Sequence, residues 1–166
     1  AEWIARWPFW NDRIAAMRSD VKTKLPKPFR KRCVVVGDLM ADLNNFAKKE
    51  KPLPKGQWVA LLPGSKKAKL CIGIPFFLEL ADHLSKKVPN CNFLIPVAPT
   101  TNIKEFVELS SEKNPISKQY LSGIKKIIEP KKDYPWRQLI TNAGTTIFLE
   151  ENYPSHGYLS QCNLAI

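Results

Sequence analysis

The stretch WVALLPGSKKAKL, residues 58–70, joins an apolar run to a loop and a group of lysines. Its first five residues are apolar and predict a buried strand. Pro63, Gly64 and Ser65 then end the strand, because proline and glycine interrupt regular structure. Residues 74–88 have apolar side chains at helical spacing and predict a helix soon after this loop. The stretch therefore indicates a strand–loop–helix unit, the building block of α/β sheets.

Similar apolar runs recur along the chain and predict further strands at 33–37, 92–98, 145–150 and 162–166. Between them, helices are predicted at 2–24 (interrupted at Pro8), 38–49, 101–111 (capped by Thr100 or Thr101) and 115–127, with a helix or loop at 136–143 and a helical turn at 155–161. Two prolines predict an extended basic segment over 25–32. Near-continuous apolar strands that alternate with helices favour a Rossmann-like α/β parallel sheet beginning at Trp58.

The composition indicates a globular chain with an uneven charge. Apolar residues make up 44% of the 166 residues, and the net charge is +11. Residues 1–70 carry 16 of the 26 Lys and Arg but only 6 of the 15 Asp and Glu. Such a basic half suits a phosphorylated ligand or an anionic membrane surface, or it is simply a solvated face. No RNA-binding signature accompanies it, so nucleic acid is not an expected partner.

The four cysteines are widely spaced, without CxxC or Cys/His ligand spacing, which predicts free thiols and no metal site. No signal peptide opens the chain, and no run of about 18 apolar residues is present. Tryptophans at positions 3, 7 and 10 form an aromatic cluster, either for an interfacial membrane contact or for packing against another domain.

The loop at residues 63–65 predicts an anion site. In an open parallel sheet, ligands bind beyond the carboxyl ends of the strands, where this loop is expected to lie. Gly64 lets the backbone approach a ligand, and free N–H groups at a helix start suit phosphate oxygens. Lys66, Lys67 and Lys69 add positive charge. The alternative is a plain turn with solvated lysines.

Other motifs narrow the possible chemistry. GxxxxGK[ST] and GxGxxG are absent, so ATP hydrolysis and NAD binding lose support and no cofactor is predicted. Glu150 and Glu151 follow the predicted strand at 145–150 and are candidates to accept hydrogen bonds from sugar hydroxyls. His156, ahead of a predicted helical turn, is a weaker candidate for a ligand contact.

Three segments resemble the lipid-A-disaccharide synthase family. VALLPGSKKAKL (59–70) is similar to the family's strand and Leu-Leu-Pro-Gly-Ser-Arg loop. VVVGDLMADL (34–43) is similar to its Gly-x-x-Met-x-Asp segment, and FFLELADHLSKKVPNCNFLIPVAPT (76–100) to its next helix and strand. The resemblance covers residues 30–100 well and 101–166 loosely.

The resemblance implies a GT-B glycosyltransferase, with two Rossmann-like domains that face each other across a cleft. The family transfers a diacylglucosamine from UDP to a lipid monosaccharide phosphate, in the cytoplasm at the surface of the inner membrane. Residues 1–49 would then end the acceptor-side domain, 50–56 would be a linker, and 57–166 would begin the UDP-sugar domain. Because both ends of the sequence look cut, the remainder of the same chain is an expected partner. The fragment alone should be inactive, since the catalytic base would lie outside it.

The resemblance also implies site residues. Pro63, Gly64, Ser65 and Lys66 would bind the donor phosphates, and Gly37, Asp38, Met40 and Asp42 would line the interdomain cleft. Three positions depart from the family: Lys66 replaces an arginine, Lys69 a glutamate and Asp38 a histidine. These departures leave two alternatives open, another UDP-sugar enzyme of this fold, such as an epimerase, or a non-catalytic module at the membrane surface.

Overall fold

The computed structural model describes residues 12–38, 51–131, 135–152 and 155–166. The chain divides into two compact units, Ala1–Lys48 and Lys49–Ile166. The elements of the first unit are, in order, β1 (Ile14–Ala16), α1 (Ser19–Lys24), α2 (Lys27–Arg30) and β2 (Cys33–Val35). β1 and β2 pair in parallel, and a small core of Ala16, Leu25 and Cys33 lies beside them.

Two predictions for this first unit are wrong. Residues 14–16, predicted as helix, form β1 instead, because the Ile14 N–H donates to the Arg32 carbonyl and pairing with β2 overrides the local helical preference. Residues 25–32, predicted as extended, contain α2. Pro28 stands in the first turn of that helix, where its missing N–H costs nothing.

The strand predicted at 33–37 is confirmed over Cys33–Val35 as β2, but of these three residues only Cys33 is buried. Val34 and Val35 are 44% and 41% exposed. The helix predicted over 38–49 falls almost wholly outside the described residues.

The second unit is built on a six-stranded sheet. Its strands are β3 (Gln57–Ala60), β4 (Cys91–Pro96), β5 (Ile124–Ile128), β6 (Arg137–Thr141), β7 (Thr146–Glu150) and β8 (Leu164–Ala165). Its helices are α3 (Lys67–Lys87), α4 (Ile103–Leu109), a 3₁₀ helix (Pro115–Gln119) and α5 (His156–Leu159). The strand order is β5-β6-β7-β4-β3-β8, and the last four of these strands run in parallel. The predicted α/β class with a mostly parallel sheet is confirmed.

The sheet has a topological switch point beside β3. From β3 the chain moves outward to β4 and β7, then crosses back to place β8 on the other side of β3. The order of the parallel strands therefore reverses between β3 and β8. In open α/β sheets such a reversal opens a crevice at the carboxyl ends of the strands, where ligands bind.

Both faces of the sheet are covered, as a parallel sheet requires. One face packs under α3 and α4 through Val59, Leu61, Phe93, Ile95 and other buried side chains. The alternate residues Trp58, Leu94 and Phe148 pack on the opposite face with Trp136 and Tyr158. This period-2 alternation explains why the strands read as continuous apolar runs.

The antiparallel pair β5–β6 was not predicted. Only Pro115–Gln119 of the predicted helix at 115–127 is helical, and it is 3₁₀. Within residues 136–143, predicted as helix or loop, residues 137–141 form β6, because a tight turn leads from that strand into its antiparallel partner β7. In this turn the Gly144 N–H donates to the Thr141 carbonyl, and Gly144 has φ +92°. β5 then pairs with the outer side of β6.

α3 runs through Pro75 without ending, although proline removes the N–H that would bond to the carbonyl of Cys71. Asn114 replaces that donor, because its Nδ2 lies 2.7 Å from the Cys71 oxygen. Further along the helix, buried Asp82 accepts hydrogen bonds from the hydroxyls of Ser122 and Thr141. These bonds fasten α3 to the 3₁₀ segment and to the β5–β6 pair. α4 is capped by Asn102 rather than by Thr100 or Thr101.

Candidate functional site

The loop after β3 lies at the carboxyl end of that strand, beside the switch point. Strand-like pairing continues past β3, because the Leu61 N–H donates to Leu94 (2.8 Å) and the Leu62 N–H donates to Ile166 (2.8 Å). Pro63 ends the pairing because it has no N–H to donate. The chain then turns through Gly64 and Ser65 into α3. The loop therefore sits where β3 is held between β4 and the segment ending at Ile166.

Both the backbone conformation and the neighbouring atoms require glycine at position 64. Its φ of +92° lies in the left-handed region, which side chains other than glycine rarely adopt. A Cβ on Gly64 would also lie 3.2 Å from Cβ of Lys69. The turn therefore folds tightly against the first turn of α3, and Gly64 itself is exposed.

A second glycine lets α3 approach the loop. A Cβ on Gly73 would come within 2.9 Å of Cα and Cβ of Pro63. Any larger residue at position 73 would push the loop off the helix. Pro63 and the start of α3 therefore hold one fixed arrangement.

The amino end of α3 is suited to an anion. Lys66 is its N-cap, and among the described residues no side chain caps this end and no acidic residue occupies the first turn. The first helical bonds run from the N–H groups of Lys69 and Leu70 to the Lys66 carbonyl, so the amides of Lys67 and Ala68 precede the helical ladder. Their positive ends, with the helix dipole, favour negative charge at this position. The exposed side chains of Lys66, Lys67 and Lys69 strengthen the field.

The loop borders a cavity of about 280 Å³ at the carboxyl edge of the sheet. The lining residues come from three segments: Leu62, Pro63, Gly64 and Ser65 after β3; Pro96, Val97, Ala98 and Pro99 at the end of β4; and Ser155 before α5. Among the described residues, most of this lining is apolar, and the polar side-chain groups are the hydroxyls of Ser65 and Ser155. Three of the four residues predicted to bind phosphate line this cavity, and Lys66 is the next residue along the chain.

Glu150 does not face the cavity as a ligand group. It lies at the carboxyl end of β7, but it has no exposed surface. Its carboxylate accepts hydrogen bonds from Trp136 Nε1 (2.8 Å) and from the Asn152 N–H (2.6 Å). The predicted contact between Glu150 and a sugar is therefore not available in this conformation, and the carboxylate instead positions the loop after β7.

Glu151 is exposed and remains a candidate for contact with the donor. Its carboxylate lies 3.4 Å from Nε of Arg137, and Nη2 of the same arginine lies 2.8 Å from Glu129. Arg137 pairs with Leu149 in the register of β6 and β7, so it stands near the same edge of the sheet. Sequence reasoning missed both Trp136 and Arg137, because strand β6, which begins at Arg137, was not predicted. The available signal was the indole of Trp136, because a buried tryptophan needs a hydrogen-bond acceptor for its N–H.

His156 begins α5, next to Ser155 in the cavity wall. Its Nδ1 atom is buried and has no hydrogen-bond partner among the described residues. An imidazole nitrogen without a protein partner can serve a ligand or a water molecule. His156 therefore remains a candidate for a ligand contact.

The residues predicted for the interdomain cleft are only partly described. Gly37 has φ +80°, no atom of the described residues lies within 4 Å of its Cβ position, and Asp38 is exposed. Met40 and Asp42 lie outside the described residues, as do the tryptophans at positions 3, 7 and 10. A cleft role for these four residues, Gly37, Asp38, Met40 and Asp42, stays a prediction.

The described ranges contain no group of three or more His, Cys, Asp or Glu side chains arranged to hold a metal ion. All four cysteines are free, as predicted. Burial raises the pKa of the Cys91 and Cys162 thiols, which makes both poorer nucleophiles. None of the helices within the described ranges has the length and apolar character needed to cross a bilayer.

No protein-family model matches the chain. Curated lipid-A-disaccharide synthases do match in part. The protein from Aeromonas hydrophila is 32% identical over 59 residues, which cover 36% of this chain and 16% of the relative. The protein from Histophilus somni is 28% identical over 91 residues, which cover 51% and 23%. The protein from Idiomarina loihiensis is 31% identical over 62 residues, which cover 37% and 16%.

The chain is a distant relative of lipid-A-disaccharide synthases. The names of these relatives point to glycosyl transfer as the class of chemistry. The matched stretches span less than a quarter of the length of each relative.

Proposed function

We propose that this chain is the donor-binding part of a glycosyltransferase similar to lipid-A-disaccharide synthases. The donor is a UDP-linked diacylglucosamine, and the acceptor is a lipid monosaccharide phosphate at the inner membrane surface, on its cytoplasmic side. One observation carries this proposal. The Pro63–Ser65 loop leads from the strand at the switch point directly into the amino end of α3, beside an open cavity.

The loop suits the diphosphate of a nucleotide sugar. Gly64 keeps side chains away from the approach, and the amides of Lys67 and Ala68 supply donors for phosphate oxygens. The Ser65 hydroxyl adds a further donor, and Lys66 supplies a charge without the bidentate geometry of an arginine. The diphosphate binds at the Ser65 end of the cavity, because the rest of the wall is largely apolar.

This arrangement favours departure of UDP. As the bond between the anomeric carbon and the diphosphate oxygen breaks, negative charge grows on the leaving group. Fixed amide donors and nearby cations stabilise that charge most strongly when it is fully developed. The acceptor hydroxyl attacks the anomeric carbon from the opposite face, so the configuration inverts, and a base outside this chain takes the hydroxyl proton.

The domain assignment follows the same proposal. Residues 1–49 end the acceptor-side domain, 50–56 connect the two domains, and 57–166 form the first half of the donor domain. Gly37, Asp38, Met40 and Asp42 then stand on the acceptor side of the cleft. The missing remainder of the protein supplies the rest of both domains.

Turnover by the longer protein that contains this sequence tests the proposal. UDP-diacylglucosamine and the lipid monosaccharide phosphate are incubated with it, and mass spectrometry detects the disaccharide and released UDP. Disaccharide formation supports the proposal. Conversion of the free nucleotide sugar without an acceptor would indicate an epimerase, and binding without any conversion would indicate a non-catalytic module; either result would contradict it.

A further inference from the structure

Glu150 is a fully buried carboxylate that takes no part in the proposed reaction. Among the described residues, no lysine or arginine forms an ion pair with it. Burying a carboxylate is costly unless its oxygens are hydrogen-bonded, and here each oxygen has its own donor, Trp136 Nε1 on one and the Asn152 N–H on the other. Glutamine would not serve as well, because an amide has one acceptor oxygen and would turn an NH₂ group toward the second donor.

Glu150 joins three segments at the carboxyl edge of the sheet. Its carboxylate holds Trp136, just before β6, and Asn152, just after β7. Its carbonyl accepts the N–H of Val97 at 2.8 Å, just after the end of β4. Val97 lines the cavity beside the loop after β3. One end of this network is therefore part of the cavity wall.

The Trp136 ring carries the connection to α5. It packs edge to face on the Tyr158 ring, with the ring centroids 5.3 Å apart, and both residues are buried. The Tyr158 N–H donates to the Ser155 carbonyl at 3.1 Å. Ser155 is another part of the cavity wall, and His156 follows it. The orientation of the indole therefore sets where this part of the wall lies relative to Val97.

We propose that Glu150 is a positioning residue for nucleotide binding. It acts through Trp136 and α5, and it fixes the distance between the parts of the cavity wall formed by Val97 and Ser155. This inference rests on the proposed function, because it assumes that the nucleotide of the donor occupies this cavity.

The phosphate end of the site does not depend on this connection. The Pro63–Ser65 loop is held by its close contacts with α3, at Lys69 and Gly73. Loss of the Glu150 carboxylate should therefore weaken the binding of UDP, which spans the cavity. It should not weaken the binding of pyrophosphate, which needs only the loop and the amino end of α3.

Isothermal titration calorimetry with UDP and with pyrophosphate tests the assignment, at temperatures well below the measured unfolding midpoint of each variant. Glu150→Gln removes one of the two acceptors with little change in volume. Trp136→Phe removes the indole N–H and keeps an aromatic ring, and it carries the test if Glu150→Gln does not fold. Asp82→Asn is the matched control. Asp82 is also a buried carboxylate that accepts hydrogen bonds from two groups, the hydroxyls of Ser122 and Thr141, and it does not line the cavity.

We expect Glu150→Gln to bind UDP about tenfold more weakly, which corresponds to the loss of about one hydrogen bond, and to bind pyrophosphate as the unsubstituted chain does. Trp136→Phe should change the two affinities in the same way. Asp82→Asn should lower the unfolding midpoint and leave both affinities unchanged. Unchanged UDP affinity in Glu150→Gln, or an equal fall in affinity for both ligands, would overturn this assignment and leave the proposed function standing. Absence of UDP binding by the unsubstituted chain would contradict the proposed function, and the assignment would fall with it.

Discussion

Gly73 lies against Pro63 so closely that a Cβ at position 73 would meet Cα of Pro63 at 2.9 Å. Contacts this short between Cβ and backbone do not persist in folded proteins, so one of the two segments would have to move. The absence of a side chain at Gly73 therefore sets the distance between the loop after β3 and α3. It places the loop beside the amides that we propose as phosphate donors.

Gly73→Ala should displace the loop and weaken donor binding. Overpacking of this kind costs about 1–3 kcal/mol of stability. If the loop moves away from the amino end of α3, affinity for UDP should fall by about tenfold as well. Urea unfolding and isothermal titration calorimetry measure the two effects. Ile72→Ala is the control, because Ile72 is exposed on the same helix, and it should change stability by less than about 0.5 kcal/mol. Unchanged UDP affinity in Gly73→Ala would contradict the importance of the loop position.

Gly64→Ala tests the turn itself. An alanine at this position should destabilise the fold for two reasons: φ is +92°, and the new Cβ would lie 3.2 Å from Cβ of Lys69. Gly37→Ala is a matched comparison, because Gly37 has φ +80° but no neighbour within 4 Å of its Cβ position in the part of the chain that the structure describes. We expect about 1–2 kcal/mol of destabilisation from the left-handed backbone at either position. Any additional loss of stability in Gly64→Ala measures the cost of the contact with Lys69. Equal losses of stability in the two variants would show that the Lys69 side chain moves away at little cost.

The hydrogen bond from Asn114 to Cys71 compensates for Pro75. Asn114→Ala should destabilise the fold by about 1–3 kcal/mol, because it leaves buried backbone oxygens without a donor. In a Pro75→Ala background the helix regains its own N–H at position 75. The same Asn114→Ala change should then cost about 1 kcal/mol less. Chemical denaturation of the four proteins in this double-mutant cycle gives the coupling energy. Strict additivity would mean that Asn114 acts only through its other bonds, to Leu109 and Ile116.

Substitution of Glu150 and substitution of its neighbour Glu151 should change the stability of the fold by different amounts. Glu150→Ala strands the buried indole N–H of Trp136 and the N–H of Asn152, so it should cost about 2–4 kcal/mol. Glu151→Ala removes a partly exposed carboxylate near Arg137 and should cost less than about 1 kcal/mol. Thermal unfolding followed by tryptophan fluorescence compares them. Similar losses from both changes would show that the buried carboxylate does not organise this loop.

The strands of the parallel sheet could be predicted because burial on both faces makes them continuous apolar runs. WVALL and NFLIP are such runs, and they contain most of β3 and β4. The position of the loop after β3 could be predicted from the same pattern, because the loop begins where the apolar run of that one strand ends. The switch point itself could not be predicted, because it depends on which side of β3 the distant strand β8 joins.

The β5–β6 pair and the strand β1 were missed for a different reason. Ile124–Ile128 has two lysines at its centre and lies at the outer position of the sheet, so it lacks a continuous apolar signal. Its structure is decided by pairing with β6, which local preference does not reveal. The continuation of α3 through Pro75 has a similar origin. It depends on Asn114, a residue far away in the sequence.

Binding of UDP to this chain is the most direct test of the account. Isothermal titration calorimetry is carried out on the unsubstituted chain, on a Lys66→Glu, Lys67→Glu variant, and on a Lys86→Glu, Lys87→Glu control. The control changes two lysines at the opposite end of the same helix. We predict saturable UDP binding that inorganic phosphate competes for, at least about tenfold weaker in the first variant and unchanged in the control. Failure of the unsubstituted chain to bind UDP, or equal affinity in both variants, would contradict a diphosphate site at the amino end of α3.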